Sequence, residues 1–239
     1  MQDTIEAENT DTNWLKVAGL LAWATLPCAA MWMGLYVLSS AFWAFALYHI
    51  ICLVPALVVG RKLWKAGLKP PSIKICILLL LVALGFSAIT VISYELLGHK
   101  VLSNQEVIAL MNRVGWAKSM LWPLSLYAVI VNPVLEEFYW RGMLLVQLDR
   151  IKNPPFPHFG IIVSSLFYAL FHYFIFRLVL FPFHAELGSL MLACYGALLA
   201  IIYRRTGSIL TTAIAHGLLT DLAAVALIAD LSLKYPGAI

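Results

Sequence analysis

The chain has 239 residues, 62% of them hydrophobic and only 12% charged, with a mean hydropathy of +0.89. Soluble domains run at roughly 45–50% apolar and about 25% charged, which excludes a soluble enzyme, a nucleic-acid-binding protein and a disordered chain. The formal charge of +4 is then an asymmetry between membrane loops rather than a footprint for nucleic acid. Long, continuous apolar segments rich in Leu and Ala favour helices over the short alternating strands of a barrel. At roughly 20 residues per span, the expected fold is an all-α polytopic membrane protein with about seven to eight transmembrane helices.

Residues 1–13 are polar and acidic (Asp3, Glu6, Glu8, Asp11) and lack a basic n-region, so they read as a tail rather than a cleaved signal peptide. A first apolar run, Trp14–Leu38, is barely separated by Ser39-Ser40 from a second, Phe42–Val59, and the two predict a tight helical hairpin. Arg61, Lys62, Lys65, Lys69 and Lys74 surround Pro70-Pro71 in a short basic loop. A third span is predicted over Ile75–Leu97, and the polar, mildly amphipathic stretch His99–Lys118 suits an interfacial helix. The fourth span, Met120–Leu148, contains Pro123 and Pro133, and a proline-rich loop Asp149–Pro157 follows it. Spans five to seven are expected over Phe159–Phe181, Leu187–Tyr203 and Ser208–Leu231.

No internal repeat is visible. The divisions expected are a tail (1–13), N-terminal helices with an interfacial segment (14–118), a helical core (119–231) and a C-terminal tail (232–239). With the N-terminus in the cytoplasm, the basic loop, Lys16, Arg150, Lys152, Arg204 and Arg205 all fall on the cytoplasmic side. The other side keeps Lys100, Arg113, Lys118, Arg177 and Lys234, a bias of the expected sign. Cys28, Cys52, Cys76 and Cys194 sit in apolar segments without CxxC spacing and read as buried, inert thiols.

Ionisable residues inside spans cost at least about 2.5–3.5 kcal/mol each on insertion scales and need a partner or a role. Glu95, Glu186 and Asp230 fall near span ends, where interfacial solvation suffices, and His49 reads as a satisfied core histidine. The remaining residues cluster late in the chain. Glu137 and Arg141 stand at i and i+4 and predict an ion pair, whereas Glu136 points about 100° away and stays available. Tyr168 and His172 share a face of the fifth span, and His216 and Thr220 share a face of the seventh beside the small residues Thr211, Thr212, Ala213, Ala215 and Gly217. Asp221 follows Thr220, about 140° from His216 in an ideal helix. At about 1.5 Å per residue, Glu136, His172 and His216 reach compatible depths near mid-membrane.

Glu136-Glu137-xxx-Arg141 in a span, an aromatic-xxx-His element and a late His-bearing span resemble the CPBP family, which holds CAAX proteases of Ras-converting-enzyme type and bacteriocin-processing relatives. The resemblance covers roughly residues 119–225. It implies an intramembrane glutamic-type endopeptidase fold of about eight helices, and neither cofactor nor metal is expected. Glu136 would activate water with His172 as its partner, His216 would help hold the oxyanion, and Glu137 with Arg141 would be structural. The family's usual Phe four positions before the second-motif histidine is Tyr168 here, an auxiliary candidate. Its usual Asn four positions after the third-motif histidine is Thr220, with Asp221 next as a second auxiliary candidate.

Peptide hydrolysis needs an activated water and donors for the developing oxyanion. A Glu136–water–His172 arrangement with His216 and Thr220 at the carbonyl meets that need. Glu136, His172 and His216 are also acceptable zinc ligands, but the HExxH of membrane metalloproteases is absent from the sequence. Two other classes stand beside the protease: a proteolytically inactive membrane scaffold or partner-binding protein of the same family, and a proton-coupled carrier. The expected partners are the lipid bilayer and a membrane-associated peptide or protein, lipidated or not. A prenylated CAAX-like tail, a leader peptide and a C-terminal sorting signal all suit the site, in a prokaryotic inner or plasma membrane.

Overall fold

The computed structural model describes residues 14–238, so the expected tail over 1–13 lies outside the described residues. Among the described residues six helices are long and apolar enough to cross a membrane: α1 (Trp14–Val37), α2 (Ala41–Val59), α4 (Ile73–Lys100), α8 (Phe159–Val179), α9 (Pro182–Thr206) and α10 (Ile209–Lys234). Between them lie α3 (Arg61–Ala66), α5 (Asn104–Val114), α6 (Leu121–Ile130) and α7 (residues 132–149). No strand occurs among the described residues, and the chain is a polytopic all-α membrane protein.

Local chemistry sets the helix boundaries. Serine side chains cap four helix starts: Ser40, Ser72, Ser103 and Ser208 each accept a bond from the backbone N–H three residues on. Gly207 adopts φ +62° and ends α9, a left-handed conformation that disfavours other residues. The basic stretch expected as a loop is partly helical, because α3 continues directly after Gly60. The expected fourth span is not one rod but α6 and α7, divided at Val131. Pro133 has no N–H to give the carbonyl of Val129 and so breaks the ladder there.

The main core joins α1, α2, α7 and α8 around Tyr48, Tyr139, Trp140 and Phe171, with the Trp140 and Phe171 rings stacked at 5.7 Å. Cys28 and Cys52 belong to it. The other two cysteines depart from expectation, Cys76 being half-buried and Cys194 exposed on the outer face of α9. In α4 only Ala83 and Gly98 are buried; the helix lies at the periphery against α10.

Each end of the bundle is tied separately. At the basic end the Ser208 hydroxyl donates to the Lys69 carbonyl at 2.5 Å, the Ile209 N–H donates to Gly67, and Arg204 pairs with Asp149. At the other end the Phe181 N–H donates to Val101, Arg177 lies 3.8 Å from Glu186, and Lys234 pairs with Glu95 and Asp230. The acidic residues read as interfacial therefore do stand at helix ends, each with a basic partner.

Candidate active site

The site is assembled from α7, α8, α9 and α10. Glu137 and Arg141, one turn apart on α7, form the expected pair, Nη1 donating to Oε1 at 2.6 Å with both side chains buried. The other end of the guanidinium donates through Nη2 to the Gly196 carbonyl of α9 at 3.1 Å and lies over the Tyr168 ring. A side chain at position 196 would press on Tyr168 and Ser165 of α8, so glycine there lets the α9 backbone come within the arginine's reach. A permanently charged guanidinium beside a carboxylate, with further hydrogen bonds, is what a buried charge requires.

His216, 1% exposed on α10, stands at the centre. Its Nδ1 is 3.0 Å from the same Glu137 Oε1. A carboxylate only accepts, so Nδ1 carries the proton of that bond. In the neutral ring Nε2 then accepts from the Tyr168 hydroxyl at 3.1 Å. Glu136 Oε2 and Asp221 Oδ1 each lie 3.8 Å from Nε2, within electrostatic range but beyond hydrogen-bond distance. Four side chains that the sequence had placed on three spans thus surround one imidazole.

The approach of Asp221 corrects the ideal-helix expectation. Residues Gly217–Asp221 form a π-helical turn. Its i→i+5 bonding sets residue 221 beside residue 216 rather than 140° away. The Thr220 hydroxyl lies 2.7 Å from the His216 carbonyl and 3.2 Å from Asp221 Oδ1, both on its own helix. Gly217 also lets α10 cross close to the broken fourth span, where a Cβ would strike the Val129 carbonyl and Pro133. The carbonyl left without a helical partner by the proline is therefore the point where α10 crosses.

His172 is held on α8 with Nδ1 2.8 Å from the Tyr168 carbonyl and its ring against those of Tyr168 and Phe171. Among the described residues no direct hydrogen bond joins it to Glu136, whose Oε1 takes its bond from Asn132. His49 has both nitrogens engaged, by the Phe45 carbonyl and the Tyr127 hydroxyl, as a satisfied core histidine should. Sequence reasoning missed Asn132, whose amide donates to Glu136 Oε1 at 2.7 Å. The i, i+4 spacing to Glu136 was the available signal. Among the described residues no three His, Cys, Asp or Glu side chains are grouped to hold a metal ion.

Residues 118–220 match the family described as "Rce1-like: Type II CAAX prenyl endopeptidase Rce1-like". Comparison with curated proteins and with solved structures gave no match. The matched segment begins just before α6 and ends at Thr220, so it contains Glu136, Glu137, Arg141, Tyr168, His172 and His216. Over the helices that carry this buried cluster, the chain is similar to the Rce1-like endopeptidases, the resemblance to which its motifs had pointed.

Proposed function

We propose that the protein is a metal-independent intramembrane endopeptidase that cuts a membrane-associated peptide with Glu136 as its base. The observation that carries this reading is the buried grouping of Glu136, His216 and Tyr168, on three different helices, within a segment matching a protease family. Glu136 Oε2 is buried and has no hydrogen-bond partner among the described residues, so it is the oxygen available to take a proton. A water there gives its proton to Oε2, and the resulting hydroxide adds to the substrate carbonyl carbon. The carbonyl oxygen becomes an oxyanion, for which the Tyr168 hydroxyl and a protonated His216 Nε2 are the donors. Glu137 on Nδ1 favours the protonated ring by the logic of a buried carboxylate–imidazole pair. As the C–N bond breaks, Glu136 returns the proton to the leaving amine. His172 is assigned to the water on the strength of the family resemblance.

The substrate class is a peptide reaching the site from the bilayer: a CAAX-like prenylated tail, a leader peptide or a C-terminal sorting signal. The basic end of the bundle is placed in the cytoplasm with the N-terminus, in a prokaryotic plasma membrane.

The test compares peptide termini in membrane and secreted fractions from cells carrying wild type, a deletion, or Glu136→Gln at equal abundance. Termini found only with wild type identify the substrate and make Glu136 essential. Termini restored equally by Glu136→Gln support the second reading, a proteolytically inactive scaffold. The observation favouring that reading is the carboxylate of Asp221 facing His216 while the Thr220 hydroxyl is spent on its own helix.

A further inference from the structure

We propose that Asn132 is a positioning residue that fixes which oxygen of Glu136 reacts; this rests on the reading of Glu136 as the base. Asn132 opens α7 at the break in the fourth span, directly before Pro133, and is itself buried. Its side chain caps no helix; it reaches forward one turn, and Nδ2 donates to Glu136 Oε1 at 2.7 Å. The direction of that bond is fixed by chemistry, because a carboxylate oxygen offers no hydrogen and only the amide nitrogen can donate. One carboxylate oxygen is thereby occupied. The other, Oε2, has no partner and is the one 3.8 Å from His216 Nε2.

Without the clamp the carboxylate is free to rotate about its terminal torsion, which is broad and roughly two-fold. Either oxygen, or neither, would then face the imidazole. Asparagine is a poor residue for a buried helical position, since it has low helix propensity and a polar group needing partners. A purely structural polar pair would be served equally by other side chains. The separation of the two oxygens by role is what this geometry adds.

The test uses the full-length protein reconstituted in lipid nanodiscs, with Asn132→Leu, Asn132→Ala and Asn132→Gln beside wild type. Two readouts are taken. The first is modification of Glu136 and of Glu137 by a membrane-permeant carbodiimide, followed residue by residue by mass spectrometry. The second is kcat and KM on a farnesylated CAAX peptide. Loss of the clamp frees Oε1, so Glu136 in the Leu and Ala variants is expected to be modified several-fold faster, while Glu137 is unchanged. On the peptide, kcat falls on the order of 10²-fold, the scale of a misaligned catalytic group, and KM stays within about twofold. Asn132→Gln, which keeps a donor, recovers part of both.

Unchanged labelling together with unchanged kcat overturns the proposal and leaves the protease reading intact. Faster labelling of Glu136 with no cleavage by wild type supports the clamp while counting against the CAAX-like substrate. Equal acceleration at Glu136 and Glu137 means general loosening and also overturns it. Should the Leu variant fail to fold, the Ala variant carries the same comparison.

Discussion

Arg141 shows what a single side chain contributes inside this bundle. It serves Glu137, the Gly196 carbonyl and the Tyr168 ring at once, so its removal leaves a buried carboxylate uncompensated. Breaking a buried pair from one side costs about 3–5 kcal/mol. Arg141→Ala is therefore expected to lower thermal stability in detergent sharply, whereas Glu136→Gln, which keeps shape and polarity, should leave the melting curve near wild type. Asp149–Arg204, about one-third exposed at the bundle end, should give only about 0–1 kcal/mol in a double-mutant cycle. Tyr168→Phe separates the phenol's two duties, because the ring packing survives and only the hydroxyl is lost. If that hydroxyl meets the oxyanion, kcat falls by about 10²–10³-fold, the cost of one such donor. A smaller change, with wild-type kcat, would confine it to orienting His216. At this scale the sequence was readable where i, i+4 spacing governs, as for Glu137 and Arg141. It was unreadable where three helices converge, because nothing in the order of residues states that His216 rather than His172 faces both glutamates.

Among the elements, the π turn at 217–221 decides more than any one contact. The local sequence Gly-Leu-Leu-Thr-Asp gives no sign of it, and an ordinary helix would have turned Asp221 away from His216. The turn arises in tertiary context, where α10 passes the broken fourth span with Gly217 against Val129. Deleting Leu218 removes the extra residue of the turn, so Asp221 falls four residues after His216 and, in an ordinary α-helix, stays on its face. The variant should therefore still insert and keep its activity on Glu136-dependent substrates close to wild type. Gly217→Ala places a methyl group against a backbone carbonyl that cannot retreat, and overpacking of this sort costs about 1–3 kcal/mol. Its melting temperature should fall while Gly19→Ala, with open space around it, should not move. The proline that divides α6 from α7 was visible in the sequence. Its use as a crossing point was not, since that depends on the partner helix.

For the whole molecule, apolar run lengths located the six membrane-length helices to within five residues but not the division of the fourth expected span into α6 and α7, because hydropathy is a property of segments and survives ignorance of packing. Their sidedness is a separate question. With the basic end cytoplasmic, a cysteine placed at Lys100 should react with a membrane-impermeant maleimide on intact cells, and one placed at Lys65 only after permeabilisation. The native Cys28, Cys52, Cys76 and Cys194 would first be replaced by alanine. The reverse pattern would invert the topology while leaving the site's geometry untouched.

The peripheral helix α4 and the late helix α10 together have a bearing on how the protein comes into being. Lys234 and its partner Glu95 lie 139 positions apart, and His216 follows Glu137 by 79. During synthesis α4 enters the bilayer long before α10, the helix on which most of it packs, exists; until then its protein contacts are at its end, where the Tyr94 hydroxyl donates to Asn104 of α5. The acidic pair on α7 likewise waits, with Arg141 beside it but without the imidazole that completes its surroundings. On the proposed protease reading, competence is thus deferred by chain order: a ribosome that stalls before α10 leaves the buried cluster without His216 and Asp221, and the site is complete only once α10 has arrived.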